Sequence, residues 1–186
     1  MKLSCHQPNF FPWLPFFNKI ESSDVFVILN HVQYTRHQYQ NRFKWNEKWI
    51  TLPVLKGKLT DQIFEKIYIN PFDHWNKIKS EVGIKEMEMF DEDINENLSE
   101  CNTRIIKKIA NIMKLETPII KDHKHLSRNP TLRIIELCKE HGANTYLSGP
   151  SGKKYLDFSK FEEFNIEIEF ISNTKNLPIF EYLYPR

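Results

Sequence analysis

The sequence has few cysteines and lacks the spacings that cysteine-based sites require. Cys5, Cys101 and Cys138 are an odd number, and no Cys-x-x-Cys pair occurs. This argues against both a disulfide framework and a structural zinc site. His123 and His125 have the spacing of a metal-ligand pair, but no third ligand is near them in sequence, so we predict no metal site. This cysteine usage indicates a reducing, cytoplasmic compartment.

The sequence also lacks a long apolar run and an excess of charge of one sign. No apolar run approaches the roughly 18 residues that span a bilayer, and the N-terminus turns polar too early for a signal peptide. The 26 basic residues nearly balance the 24 acidic residues, which gives no strong attraction to nucleic acid or to a membrane surface. The 40% apolar and 27% charged residues exclude disorder and coiled coil. We therefore predict a globular, unexported protein with no membrane partner.

Glycine is scarce, with five residues in the chain, and neither a Walker loop nor a Gly-x-Gly-x-x-Gly motif is present. Gly149, Ser151 and Gly152 nevertheless follow a predicted strand that ends at Ser148. Backbone N–H groups in such a turn can bind an anion. Tyr155 follows and can add a hydroxyl group. The alternative interpretation is a tight surface turn with a purely structural role.

The order of apolar runs predicts an α/β fold: a single domain with a mostly parallel central sheet and helices on both faces. Buried strands are predicted over residues 2–6, 25–29 and 144–148. Helices are predicted from about residue 14 to residue 22 or 23, over 72–82, over 102–113, and from the Asn129 cap to Gly142. Further strands are predicted over 49–54, 66–69 and 166–171. The acidic stretch 86–100 is interpreted as a solvated helix or loop.

Two polar clusters follow the first two buried strands. His6, Gln7 and Asn9 form the first cluster, in which a histidine can move a proton and the amides can orient a polar substrate. His31 and Gln33 belong to the second cluster, which parallel pairing would bring beside the first. A turn that only closes the strand is the alternative interpretation of the first cluster.

The second cluster extends to Asn41 and Arg42. The arginine fork suits a carboxylate or phosphate because it bonds two oxygens at once. A solvated loop is the alternative interpretation of these bases. Cys5 is adjacent to His6, but successive strand residues point to opposite faces, so we expect a buried, inert thiol.

The chain resembles the WbqC-like family over nearly its whole length. The matching segments, in order, are His6-Gln7-Pro8-Asn9-Phe10-Phe11-Pro12-Trp13, Phe17-Asn18-Lys19-Ile20, Ser23-Asp24-Val25-Phe26-Val27, Val32-Gln33-Tyr34, Gln40-Asn41-Arg42, Trp49-Ile50-Thr51-Leu52-Pro53-Val54, Thr145-Tyr146-Leu147-Ser148-Gly149 and Tyr155-Leu156. Members of this family occur in bacterial O-antigen and other surface-polysaccharide (lipopolysaccharide) gene clusters, and some carry the label glycine transferase.

The resemblance implies a cytoplasmic transferase that N-acylates, with a glycyl-type group, the amino group of a nucleotide-linked amino sugar. The attacking amine needs a base, for which His6 is the first candidate and His31 the second. The substrate-binding candidates implied with them are Gln7, Asn9, Trp13, Gln33, Asn41, Arg42, Trp49, Ser148, Gly149, Ser151, Gly152 and Tyr155. No cofactor is identified, but an activated acyl donor is required. A thioester, an adenylate or an acyl-tRNA all remain open, and the last would be the one nucleic-acid partner.

The chain departs from the family pattern at three places. Pro15 stands where a glycine is usual after Pro-Trp, and Asn30-His31 stands where an Asp-Asp pair is frequent. Members commonly continue past Tyr184-Pro185 with an apolar helix, whereas this chain stops at Arg186. We therefore expect one WbqC-like domain over residues 1–186, belonging to a shorter member or lacking that terminal element.

Two other functions remain open at this point. One is a binding protein of the same pathway without turnover, in which His6 only orients the ligand. The other is a divergent nucleotidyltransferase, since a strand, a histidine-bearing loop, a helix and a second strand resemble the HIGH type; the glycine and second histidine of that signature are missing. The sequence sets no oligomeric state.

Overall fold

A computed structural model of the protein describes residues 1–172 and 177–185. In chain order, its strands are β1 (Lys2–His6), β2 (Val25–Ile28), β3 (Arg42–Trp45), β4 (Lys48–Thr51), β5 (Ile119–Lys121), β6 (Thr145–Ser148) and β7 (Glu167–Phe170). Its α-helices are α1 (Leu14–Glu21), α2 (Pro71–Val82), α3 (Leu98–Ile112), α4 (Pro130–Glu140), α5 (Phe158–Glu163) and α6 (Ile179–Leu183). Shorter 3-10 helices span Ile63–Glu65, Lys85–Asp93 and Pro150–Lys154.

The central sheet consists of five parallel strands in the order β5-β2-β1-β6-β7. The chain moves outward from β1 through β2 to β5, and then returns to the other side of β1 with β6 and β7. The strand order therefore reverses between β1 and β6, which is where open α/β sheets have their ligand crevice. The predicted α/β fold, with its parallel sheet containing the three buried runs, is confirmed.

Helices cover both faces of the sheet, and the apolar residues of β2 are buried on both of them. Phe26 and Ile28 pack on one face with residues of α1 and α3, whereas Val25 and Val27 pack on the other face with residues of α4 and α5. All four β2 residues are buried. Continuous burial of this kind is characteristic of a parallel strand between two helical layers.

The helix ends follow local signals in the sequence. The Asn129 side chain caps α4 by accepting a hydrogen bond from the Leu132 backbone N–H at 3.1 Å, as the asparagine predicted. Gly83 ends α2 with a φ of 69°, a left-handed conformation that favours glycine. Helix α3 begins at Leu98, four residues earlier than expected, because the Asn97 side chain caps it by accepting from the Glu100 N–H at 3.0 Å.

The segment between β2 and β5, residues 29–118, adds a second layer of structure to the α1 side of the sheet. It contains an antiparallel hairpin of β3 and β4, helices α2 and α3, and the 3-10 helix Lys85–Asp93. Its core is aromatic: Phe11 stacks on Trp75 with ring centroids 5.5 Å apart and also contacts Phe43, Phe90 and Phe180. This segment forms one wall above the carboxyl ends of β1 and β2.

Three local predictions are wrong. The strand expected over 49–54 ends at Thr51, and the run 66–69 forms only isolated bridges, of Val54 with Tyr68 and of Ile67 with Asn97. The first run forms a ladder only with β3 of the hairpin, and the second run belongs to neither sheet. The acidic stretch is not simply solvated, because Met87 and Phe90 on it are fully buried in the aromatic core.

Candidate functional site

A cleft of about 1080 Å³ opens at the carboxyl ends of the central strands, over the point where the strand order reverses. Residues from the ends of β1 and β6, from α1 and from the loop after β2 line it. Nine of the predicted site residues are on its walls: His6, Gln7, Asn9, Trp13, His31, Gln33, Gly149, Ser151 and Tyr155. The sheet therefore brings together the two polar clusters and the glycine-containing segment.

His6 ends β1 and faces the cleft beside the ring of Phe16, 5.1 Å away. Its Nδ1 lies 2.9 Å from the Gln7 backbone oxygen. Since a carbonyl only accepts, Nδ1 carries the proton and Nε2 is left as an acceptor. Burial, with a further contribution from the Lys19 ammonium, lowers the pKa of His6 to about 4. His6 is therefore neutral at physiological pH and only weakly basic.

His31 has a carboxylate partner. Its Nδ1 lies 3.0 Å from Oδ1 of Asp122, and the ring also packs on Phe64 at 4.7 Å. Asp122 follows β5 directly and accepts in addition from the backbone N–H groups of Asn30 and His31, at 2.7 Å and 3.1 Å. This arrangement fixes the proton on Nδ1 and leaves Nε2 of His31 free to accept one.

Arg133 forms a buried ion pair with Asp122. Its Nη1 lies 3.0 Å from Oδ2 of Asp122, and both side chains are almost completely buried. The guanidinium lines the cleft from α4. Asp122 is thus held from three sides, by Arg133, by His31 and by the backbone that follows β2.

Buried amides fix the loop that carries Gln7 and Asn9. The Asn102 side chain donates to the backbone oxygens of Pro8 at 2.9 Å and Gln40 at 2.7 Å, and its own oxygen accepts from the Tyr68 hydroxyl at 2.8 Å. The Gln40 side chain also donates to the Gln7 side chain. The Gln7 side chain is therefore held in one orientation in the cleft.

Two predicted ligand-binding residues lie beside the cleft and not on its wall. The Arg42 guanidinium covers the Trp49 ring at 4.1 Å and donates to the His37 backbone oxygen. The Trp49 ring contacts Tyr39 at 5.5 Å, and Tyr39 does line the cleft. Arg42 and Trp49 therefore form a rim behind Tyr39, since their side chains face each other.

Three further predicted residues have structural contacts instead of cleft contacts. The Asn41 side chain donates to the Leu52 backbone oxygen at 3.0 Å, which joins the loop to β4. The Ser148 hydroxyl donates to the Gly149 oxygen at 3.0 Å. Gly152 lies within the 3-10 helix Pro150–Lys154 and is buried, so this segment is not an exposed surface turn.

Replacing Gly152 is expected to destabilise the protein. An added Cβ would lie 2.0 Å from Oγ of Ser148 and 3.1 Å from Cδ1 of Leu156. We expect Gly152→Ala to lower the free energy of unfolding by about 1–3 kcal/mol, as overpacking does. The double variant with Ser148→Ala removes the closest atom and should recover part of this loss. Urea unfolding of the two single variants and the double variant measures the coupling, and independent effects of the two substitutions would contradict the contact.

The cleft has a positive character. Among the described residues that line it there is no Asp or Glu, while Lys19, Arg128 and Arg133 contribute three cations. No group of three or more His, Cys, Asp or Glu side chains in the described ranges is arranged to hold a metal ion. None of the helices in those ranges is long and apolar enough to cross a bilayer. The lining therefore suits an anionic organic ligand.

Sequence reasoning missed three residues that line the cleft, Lys19, Arg128 and Arg133, and also Asp122, which is buried behind His31. Asp122 escaped because β5 was not predicted, although Ile119 and Ile120 before it are a short β-branched signal. Lys19 was hidden in an apolar helix face. Arg128 and Arg133 lie on either side of the start of α4. The sequence predicted this helix, but no motif indicated that its first turn borders the site.

Comparison with known proteins gives a family but no established activity. The chain is 29% identical to an uncharacterized protein of Mycobacterium tuberculosis. The alignment is 186 residues long and covers 90% of this chain and 80% of that protein. No solved structure matches. The model of the WbqC-like protein family matches residues 7–182. The chain therefore belongs to the WbqC-like protein family.

Proposed function

We propose that this protein is a cytoplasmic enzyme of surface-polysaccharide (O-antigen) biosynthesis that acylates the amino group of a nucleotide-linked amino sugar with a glycyl-type group. The observation that carries the proposal is the pair of His31, on the wall of a cation-lined cleft, with the buried carboxylate of Asp122. An oriented neutral histidine is the usual proton acceptor when an amine attacks an acyl group. The three cysteines are free and buried, which agrees with a reducing compartment.

His31 is a better base than His6. The ring of His31 donates its Nδ1 proton to a buried carboxylate, which stabilises the imidazolium that forms during proton transfer. The pKa of His6, lowered to about 4 by burial, is far from the operating pH at which general bases are most effective. His6 is better suited to accept a hydrogen bond from the substrate through Nε2.

The proposed step conserves atoms and charge. The sugar amine attacks the acyl carbon of an activated donor, so that an N–C bond forms and the bond from the carbon to its leaving group breaks. The proton of the amine passes to Nε2 of His31. The donor is a thioester, an adenylate or an acyl-tRNA, and its leaving group departs with the bonding electron pair. The Gln7 amide, which lines the cleft, is the candidate donor of a hydrogen bond to the carbonyl oxygen.

The aromatic side of the cleft supports recognition of a base or sugar ring. Trp13 and Tyr39 line it with ring centroids 6.1 Å apart. Nε1 of Trp13 is buried without a hydrogen-bond partner in the described part of the chain. A buried donor of this kind is costly unless a ligand acceptor satisfies it. Trp13 is therefore the first candidate for contact with the nucleotide.

The test is an activity assay on purified protein with nucleotide-linked amino sugars and each class of acyl donor, followed by mass spectrometry. We expect His31→Asn to lower the acylation rate by at least about 10²-fold while leaving substrate affinity within a few fold. His74→Asn is the matched control, because His74 is partly exposed on α2 and does not line the cleft. Equal rates for the two variants would exclude His31 as the base. Substrate binding with no product from any donor would favour the non-catalytic binding protein.

A nucleotidyltransferase is a second candidate, because one specific observation favours it. The central strands have the order of doubly wound nucleotide-binding sheets, and His6 ends the first strand at the crevice. Incubation with a nucleoside triphosphate and a sugar phosphate would then release pyrophosphate. Release of pyrophosphate without N-acylation would replace the acyltransferase proposal.

A further inference from the structure

The pairing of β1 and β6 ends before either strand ends. Only Lys2–Thr145 and Leu3–Tyr146 are in register, although β1 continues to His6 and β6 to Ser148. On its other side β1 stays paired with β2 as far as His6–Ile28. The two strands therefore separate at the switch point and open a gap in the floor of the cleft.

The ammonium of Lys19 occupies this gap. Lys19 lies in the last turn of α1, and its Nζ donates to the Cys5 backbone oxygen at 2.8 Å. The same Nζ lies 5.7 Å from the centroid of the Tyr146 ring on β6. Lys19 is only 6% exposed, yet it lines the cleft. An ammonium has three donors, so one hydrogen bond to the protein leaves capacity for a ligand.

No charged partner compensates Lys19. Among the described residues no carboxylate forms an ion pair with Lys19, and its ammonium donates a hydrogen bond only to a backbone oxygen. Burial lowers the pKa of Lys19, because the charged ammonium is removed from water. Arg133, the other buried cation of the cleft, is paired with Asp122. A buried cation without an anion is expensive to maintain, and the groups around it on the cleft floor are neutral.

We propose that the Lys19 ammonium binds the diphosphate of the ligand at the cleft floor, between the separated ends of β1 and β6. The identity of that anion as the diphosphate of a nucleotide-linked substrate rests on the proposed function, but the anion site does not. Other donors line the same cleft: Gly149 and Ser151 have backbone N–H groups just beyond the end of β6, and Arg128 precedes α4. A diphosphate, with its several charged oxygens, matches such a set better than a single carboxylate.

The experiment measures binding of inorganic pyrophosphate to the full chain by calorimetry. We expect Lys19→Met to weaken binding at least about tenfold, since a charge-assisted hydrogen bond is lost. Lys2→Met is the matched control: Lys2 lies at the opposite end of β1, where it pairs with Glu169 at 2.6 Å, and its loss should leave the affinity within about twofold. Lys19→Gln removes the charge but keeps a donor for the Cys5 oxygen, so it tests the charge should Lys19→Met fold poorly.

Thermal unfolding of the same variants separates binding from structure. We expect Lys19→Met to melt at or above the temperature of the unaltered protein, because it removes an uncompensated buried charge. Unaltered pyrophosphate affinity in Lys19→Met and Lys19→Gln, or no pyrophosphate binding by the unaltered protein, would overturn the proposal. A Lys19-dependent affinity for glycine and not for pyrophosphate would overturn it in favour of a carboxylate site. Lys19-dependent pyrophosphate binding without acyl transfer would contradict the proposed function and leave the anion site in place.

Discussion

Asp122→Ala is expected to lower the free energy of unfolding by about 3–5 kcal/mol, the usual cost of removing one partner of a buried ion pair. The substitution leaves the Arg133 guanidinium buried without its carboxylate. It also removes the acceptor of the Asn30 and His31 backbone N–H groups. Each of these is a buried polar group that loses its partner, and their costs act in the same direction.

The measurement is urea unfolding of Asp122→Ala beside a matched carboxylate, Asp91→Asn. Asp91 bonds Lys79 and Trp75 in a similar way, but its side chain is 48% exposed, so a loss of about 0–1 kcal/mol is expected. Adding Arg133→Met to Asp122→Ala should recover part of the stability because the uncompensated charge is removed. Equal losses of unfolding free energy at positions 91 and 122 would show that burial does not determine how much the Asp122–Arg133 pair contributes to stability. In an acylation assay, Asp122→Ala should also lower the rate, since His31 loses the group that orients it.

Phe11→Ala is expected to destabilise the protein by about 3–5 kcal/mol, the typical cost of removing a buried aromatic ring. Phe11 is 1% exposed and contacts five other aromatic rings of the core on the α1 side of the sheet: Phe10, Phe43, Trp75, Phe90 and Phe180. Its φ is 46°, a conformation that costs a residue with a Cβ about 1–2 kcal/mol. Ring packing therefore holds a strained backbone in place.

This strain predicts an unusual order of variants. Phe11→Gly should be as stable as Phe11→Ala or more stable, because glycine adopts the positive φ without a steric cost. Phe10, the neighbouring buried ring, has no positive φ, so Phe10→Gly should be less stable than Phe10→Ala. Denaturant unfolding of the four variants gives both comparisons. The same order at positions 10 and 11 would contradict a strained conformation at Phe11.

Local signals in the sequence were sufficient for the centre of the fold. The continuous apolar run of β2 required two covered faces, and Asn129 and Gly83 marked the helix ends where they occur. The edges of the fold were less predictable. Strand β5 has three residues and only partly buried side chains, so neither length nor alternation distinguished it. Missing β5 meant missing Asp122, and with it the carboxylate that contacts Nδ1 of His31 and orients the ring.

What the sequence by itself determined is the family, the α/β fold and the two polar clusters at the strand ends. These follow from runs of neighbouring residues, whose backbone preferences and burial are encoded locally. Only the tertiary structure decided which groups meet at the cleft. His31 and Asp122, which form a pair beside it, are 91 residues apart in the chain. Lys19 enters the gap only because β1 and β6 separate there. Strand register and the end of pairing arise from packing between distant segments, so no local pattern carries them.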